Sequence, residues 1–387
     1  MAILLDIEPL HECACNHGID LFYKAGSEPP DDKIWEEHPS PFVRRLVEMF
    51  TQRGLTRLSY LQLELAKWIN HETFKAGEPR QPRPEGAMER WTPGELALAR
   101  LYLETVPPEE FALDDWMMVI EYLTQRYLPL DDLRTEAEWL SVKSTLMGRV
   151  QASMEDVTER QADKLLAAMP NTVHEVEQQF TLNPRQRAVL DYGRTRCADY
   201  VTAIPDSTRR RLRRLIVDHQ EAVALGDRGA TAHSLETKLH DEFSVLNRDW
   251  RRIAVTEAGE MANQGMIASL PEGSRVKRLE HYEGACAFCR KIDGMEFDVV
   301  TPDAPDKDGW KQVWVGKTNV GRSAAPRMRV GGTLVPRPAD ELWQPAAGTQ
   351  HPHCRGAWLQ VTDASNDPDF AAWLEDTLKA PAKGISA

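Results

Sequence analysis

Base is outnumbered by acid, cysteine is scarce and long apolar runs are missing, and each shortage removes a class of function. With 47 Lys and Arg against 60 Asp and Glu, the 387-residue chain carries a formal net charge of −13. A surface of that sign disfavours non-specific binding to nucleic acid over the whole molecule and leaves room only for a local basic patch. Six cysteines do not make a disulfide framework in a chain of this length. No apolar run reaches the length of a membrane span, and "MAILLDIEPL" is too short and too acidic for a secretory signal. Synthesis in the cytoplasm, with no membrane partner, is the expectation. No Ser/His/acid arrangement and no paired-carboxylate motif stands out, so no small-molecule substrate is expected. "GWKQVWVGKT" imitates a phosphate loop, but six residues separate Gly309 from Gly316 where four are required.

What the chain has in quantity is helical patterning. "SPFVRRLVEMFTQRG" offers Ser40 as N-cap, Pro41 in the first turn and Gly54 as a stop. "WTPGELALARLYLET" carries a capping box, Thr92 with Glu95, and Pro93 at the first helical position. Between them Ala76 to Arg90 has the proline and charge of a loop. Trp116, Val119, Ile120 and Leu123 recur at helical spacing and read as core. Periodicity then dominates from Leu133 to about Gln264. It predicts one long or broken helix up to about Met169, a helix ending near Ile204, and another with Leu212, Leu215, Ile216 and His219 on one side. Two further helices are expected after Thr231. At Pro271 the character changes to Gly, Pro and β-formers, in "SRVKRLEHY", "GMEFDVV", "WKQVWVG", "RMRVGGTLVP" and "AWLQVTD". "NDPDFAAWLEDTLKA" closes the pattern with a short capped helix.

The few cysteines are unevenly placed. Cys197 reads as a buried helix residue, whereas "GACAFCRKIDG" sets Cys286 and Cys289 as C-x-x-C between Gly284 and Gly294. That gap lets two thiolates converge from one tight turn and is the usual local half of a tetrahedral zinc site. The other half falls to "HPHCRGAW", which offers His351, His353 and Cys354, one candidate more than needed. Both segments lie in the region least able to build an apolar core. Metal-binding energy on the order of 10–16 kcal/mol, as in zinc peptides, would hold such a region together. Glu283, Asp293 and Glu296 flank the cysteines and would serve a catalytic zinc, but a cysteine-rich set favours a structural Zn2+.

Three segments in this order, "RRIAVTEAGEMANQGMIASL", "CAFCRKIDGMEF" and "HPHCRGAW", resemble the C-terminal region of the phage Mu F-like minor head proteins. Thr256 and Glu257 match that family's Thr-Glu dipeptide and Asn263 its later Asn. Cys286, Cys289 and Gly294 match its middle motif, and His351, Pro352, Cys354 and Arg355 its ending. The resemblance covers about Tyr192 to Asp363. Two positions depart from it: Val255 replaces the usual arginine, and Gly356 replaces the last cysteine of the ending. The second departure makes His351 the fourth ligand beside Cys286, Cys289 and Cys354, with His353 its rival. The resemblance implies a low-copy, non-enzymatic virion component. Such a protein is made in the host cytoplasm and built into the head, and it associates with the portal protein and major capsid protein in head assembly and genome packaging or delivery. The rival reading is a zinc-containing nuclease of the ββα-metal type, in which a histidine such as His353 activates water.

The chain thus reads as mainly α with a small α+β, loop-rich, zinc-binding C-terminal domain. Its expected parts are a helical region over 1–132, the helical body of the Mu F-like region over 133–270, the zinc-stabilised α+β domain over 271–365, and a C-terminal helix and tail over 366–387. Two further signals remain. Arg209, Arg210, Arg211, Arg213 and Arg214 form the strongest basic run. It reads first as a solvated helix face and second as a contact for packaged DNA or an acidic partner. "HECACNH" alternates His11, Cys13, Cys15 and His17, a weak pattern for a second metal site. The basic stretch from Val315 to Gly332 is expected to be an exposed loop open to a partner or DNA.

Overall fold

Why so glycine-poor a helical stretch should hold Gly54 is answered by packing. The computed structural model describes residues 40–84, 91–154, 157–282, 284–361 and 368–380. In it α1 runs Pro41–Ile69, straight through the expected stop. A Cβ on Gly54 would lie 1.9 Å from Cε2 of the fully buried Trp250, so the glycine is a notch for an indole. Leu58, Leu61, Leu65 and Trp68 keep the apolar period beyond it, and the helix continues. A glycine inside a helix costs about 1 kcal/mol relative to alanine; a buried tryptophan outweighs that.

The remaining helices are α2 (Pro93–Glu104), α3 (Leu113–Tyr127), α4 (Leu130–Gln151), α5 (Glu159–Ala168), α6 (Val173–Gln179), α7 (Pro184–Thr202), α8 (Ile204–Ala224) and α9 (Ala232–Ser269). Thr92 and Glu95 form the expected capping box on α2. The segment expected as one long or broken helix is broken, between α4 and α5. The two helices expected after Thr231 are one, 38 residues long. Leu235, Leu239, Phe243, Leu246, Trp250 and Ile253 recur at i+3 or i+4 without a break, and no proline interrupts them.

These elements sort into two compact units that interleave along the chain. One holds Thr51–Thr135 and Tyr200–Trp250; the other holds the described residues up to Phe50, Glu136–Asp199 and those from Arg251 on. In the second unit α4 and the latter part of α9 cross at backbone contact distance. A Cβ on Gly148 would fall 1.9 Å from the carbonyl oxygen of Ala262, and one on Gly265 would fall 2.3 Å from that of Thr145. Only glycine at the crossing permits this approach.

Against that helix pair lies a sheet of order β3-β2-β1-β6, from β1 (Arg275–Leu279), β2 (Glu296–Val299), β3 (Gln312–Val313) and β6 (Ala357–Gln360). β1 is antiparallel to both neighbours, with Val276 opposite Phe297 and Arg278 opposite Trp358, and β2 is parallel to β3. Val276, Phe297, Val299, Val313 and Trp358 pack on Met266 and Ile267 of α9 and on Leu270 just after it. A separate hairpin joins β4 (Arg327–Val330) and β5 (Thr333–Pro336), so all five β-rich segments of the sequence contain strands. Between β1 and β2 lies the six-residue helix α10 (Ala287–Ile292), and α11 (Pro368–Lys379) follows the sheet. The chain is mainly helical with a small sheet region in its C-terminal part. No helix among the described residues is long and apolar enough to cross a membrane.

The stretch expected to be an exposed loop is not uniformly exposed. Lys317, Asn319 and Ser323 are buried. The Lys317 ammonium donates to the carbonyls of Gly309 and Gln312 at 2.6 and 2.8 Å, which satisfies it inside the fold.

Candidate metal centre

The C-x-x-C segment is a helix start. Cys286 is the N-cap of α10 and its Sγ accepts from the amide of Cys289 at 3.4 Å, so the two thiols share one turn. Gly294, at φ 76°, turns the chain into β2, and its amide donates to the carbonyl of Arg278 at 2.8 Å. The Asp293 carboxylate accepts from the amide of Glu280 at 2.7 Å. These two bonds tie the knuckle to β1.

The second segment supplies His351 and Cys354. Cys289 Sγ lies 3.2 Å from His351 Nε2. On the far side of the ring, Nδ1 lies 2.8 Å from the Pro352 carbonyl, which accepts its proton and leaves Nε2 as the ligand atom. Trp343 stacks on the imidazole at 5.8 Å between centroids. The ligand atoms of Cys286, Cys289 and His351 lie within 4.8 Å of one another, as do those of Glu280, Cys289 and Cys354. All five side chains are buried. Three thiols, an imidazole and a carboxylate converging on one small space could hold a metal ion, and the set is soft enough for a borderline-soft one.

Charge is balanced from one side. The Arg278 guanidinium, wholly buried, donates to Glu280 Oε1 at 2.7 Å and to Cys354 Sγ at 3.7 Å, and lies 4.9 Å over the Trp358 ring. Burial opposes ionisation of Cys354, yet the Cys289 hydrogen bond, His351 and Arg278 hold its thiol well below the ordinary range. The hydrogen bond from Cys289 draws Cys286 down to about 4 despite burial. Burial and the neighbouring Cys354 push Glu280 up to about 7 against the pull of Arg278. Both thiol shifts run in the direction that metal ligation requires.

Sequence reasoning named Cys286, Cys289, His351 and Cys354, and these come together. It missed Glu280. A Cβ on Gly356 would meet the Glu280 carboxylate at 2.1 Å, so the carboxylate occupies the space that a side chain at 356 would need. The signal was available only as an absence, the missing last cysteine of the ending. His353 stands apart from the cluster at φ 63°, and neither buried ring nitrogen has a hydrogen-bond partner among the described residues.

The helix-borne motif acquires a physical account as well. Thr256 Oγ1 accepts from the amide of His353 at 3.1 Å, and Asn263 Nδ2 donates to the carbonyl of Gly356 at 2.8 Å. Glu260 accepts from the amide and hydroxyl of Thr349 at 2.7 and 2.8 Å. Three polar side chains on one face of α9 thus grip both ends of the loop that carries His351 and Cys354. Glu257 turns the other way and pairs in bidentate fashion with Arg196 of α7, at 2.9 and 3.1 Å. Val255 is buried. Removing the Asn263 amide by Asn263→Ala should leave the Gly356 carbonyl unsatisfied and cost about 1–3 kcal/mol. Urea unfolding should show the loss, and a chelator should strip metal from the variant faster than from the parent.

The basic run has its own partners. Arg209 and Arg213 both pair with the fully buried Glu121 of α3, at 2.9 and 3.2 Å, and Arg211 pairs with Glu242 at 3.0 Å. Arg210 and Arg214 are exposed. The residues His11 to His17 lie outside the described residues. No protein-family model, curated protein or solved structure matches the chain.

Proposed function

We propose that the chain is a phage minor head protein, a non-enzymatic virion component acting with the portal protein and the major capsid protein, and that its centre holds one structural Zn2+. The observation that carries this reading is convergence. The three segments that resemble the Mu F-like family meet through Thr256, Asn263 and the Cys/His cluster rather than lying apart. Zinc suits the donors because three thiols and an imidazole form the usual closed structural set, with the Glu280 carboxylate beside them and Arg278 to neutralise their charge.

Co-expressed with its phage's portal and major capsid proteins, the full chain should sediment with assembled heads at a few copies each. Quantitative mass spectrometry of gradient fractions reads this, and a chain left wholly at the top of the gradient overturns the proposal. The nuclease alternative predicts nicking of supercoiled plasmid in magnesium or manganese, abolished by His353→Ala. We expect no nicking. The buried ring nitrogens of His353 support that expectation, since a general base must reach its water.

A further inference from the structure

Between Asp308 and Asp340 the chain holds Lys311, Lys317, Arg322, Arg327, Arg329 and Arg337 and not one acidic residue, in a molecule of net charge −13. The fold then sorts these cations. Lys317 is buried on backbone carbonyls, Lys311 lies 3.7 Å from Asp308, and Arg337 pairs with Glu341 at 3.2 Å. Arg322 is half-buried, while Arg327 and Arg329 remain exposed and form no ion pair among the described residues.

Both sit on β4, two residues apart, and so on one face of the β4–β5 ribbon. In the register Arg327 stands opposite Pro336 and Arg329 opposite Leu334, so no acid faces either from the partner strand. The turn is Gly331-Gly332, with φ of 57° and 86°. Two positive values in a two-residue turn match the twist of a tight hairpin, so the ribbon is a shaped projection rather than a loose loop. Its tip is apolar as well as basic, with Val330 and Leu334 more than half exposed.

We infer that the β4–β5 ribbon is a contact surface for the phosphates of duplex DNA. A two-stranded ribbon fits the major groove, about 12 Å wide. Alternate residues of one strand stand roughly 6.6 Å apart, about the rise of two base steps along the duplex axis at about 3.4 Å per phosphate of one strand. With two guanidiniums the binding is weak, sequence-independent and salt-sensitive. This ribbon is a better candidate than the basic run of α8, three of whose five arginines are already paired with Glu121 and Glu242. The inference rests on charge and geometry alone and stands whether or not the chain is a head protein.

The test uses the full chain, a fluorescein-labelled 30-base-pair duplex of random sequence, and anisotropy titrations between roughly 50 and 200 mM salt, the range over which phosphate contacts are lost. Arg327→Gln/Arg329→Gln should weaken binding several-fold at the lowest salt and flatten the salt slope by about two. Arg210→Gln/Arg214→Gln should leave both unchanged. Binding by the ribbon variant equal to that of the parent overturns the proposal. So does an equal loss in the α8 variant, or no binding by the parent at about 100 µM, the weak limit for non-specific DNA contacts. Displacement of the duplex by polyglutamate at equal charge would overturn the assignment to DNA in favour of an acidic protein.

Discussion

Cys354→Ser and Cys286→Ser should each release the metal and, with it, the ordered packing of the strand-bearing part of the chain. Structural zinc in small peptides contributes on the order of 10–16 kcal/mol, as much as the whole stability of a typical domain, about 5–15 kcal/mol. Losing one of four ligands forfeits a large share of that. The residues nearest the site amplify the effect, because Arg278 is wholly buried and its partners are Glu280 and Cys354. Without the thiolate a buried cation loses part of its compensation. Inductively coupled plasma mass spectrometry should find one zinc per parent chain and much less than one in either variant. Near-ultraviolet circular dichroism should lose the signal of Trp343, which stacks on His351. Cys197→Ser is the control. That thiol is buried in α7 outside the cluster, and its loss should leave metal content untouched. A parent chain without metal, or variants that keep it, would sink the structural centre.

The second large effect is expected from one methyl group. Gly148→Ala places a carbon 1.9 Å from the Ala262 carbonyl oxygen and 2.5 Å from the Met266 amide nitrogen. Both obstacles are backbone, so no rotamer change relieves the clash, and α4 and α9 must move apart. Overpacking of cores costs typically about 1–3 kcal/mol; a backbone-on-backbone contact belongs at or above the top of that range. Better helix propensity returns only about 1 kcal/mol. Gly94→Ala makes the contrast, since its nearest neighbour is a side-chain oxygen 4.0 Å away. Urea titrations should show a lowered midpoint for the first variant and an unchanged or raised one for the second. Equal midpoints would mean that the two helices do not cross at backbone contact.

Local signals in the sequence were faithful wherever the deciding partner lies within a few residues. The Thr92–Glu95 capping box, the apolar face of α8, the strand pattern after Pro271 and the C-x-x-C turn are all of this kind. What stayed hidden depends on residues far away in the chain. Gly54 reads as a helix stop until Trp250 is known to fill it. The arginines of α8 read as a free basic face until Glu121, 88 residues from Arg209, is found beneath them. Glu280 looks like an ordinary surface acid, yet it takes the room beside Gly356 and joins the donor cluster. Periodicity reports that a face is buried but does not say against what.

The interleaving of the two units bears on the order of events during synthesis. The first unit has all its segments once Trp250 has left the ribosome, whereas the second lacks its sheet until the residues from Arg251 on have followed. Cys354 comes about a hundred residues after Trp250, a delay of roughly 5–20 s at ordinary elongation rates. Ala262, which Gly148 meets, follows soon after Trp250, so through most of that interval it is the flank of α9 at Met266 and Ile267, later covered by the sheet, that waits exposed. A nascent chain stalled in this window is the form of the protein with most reason to engage a chaperone.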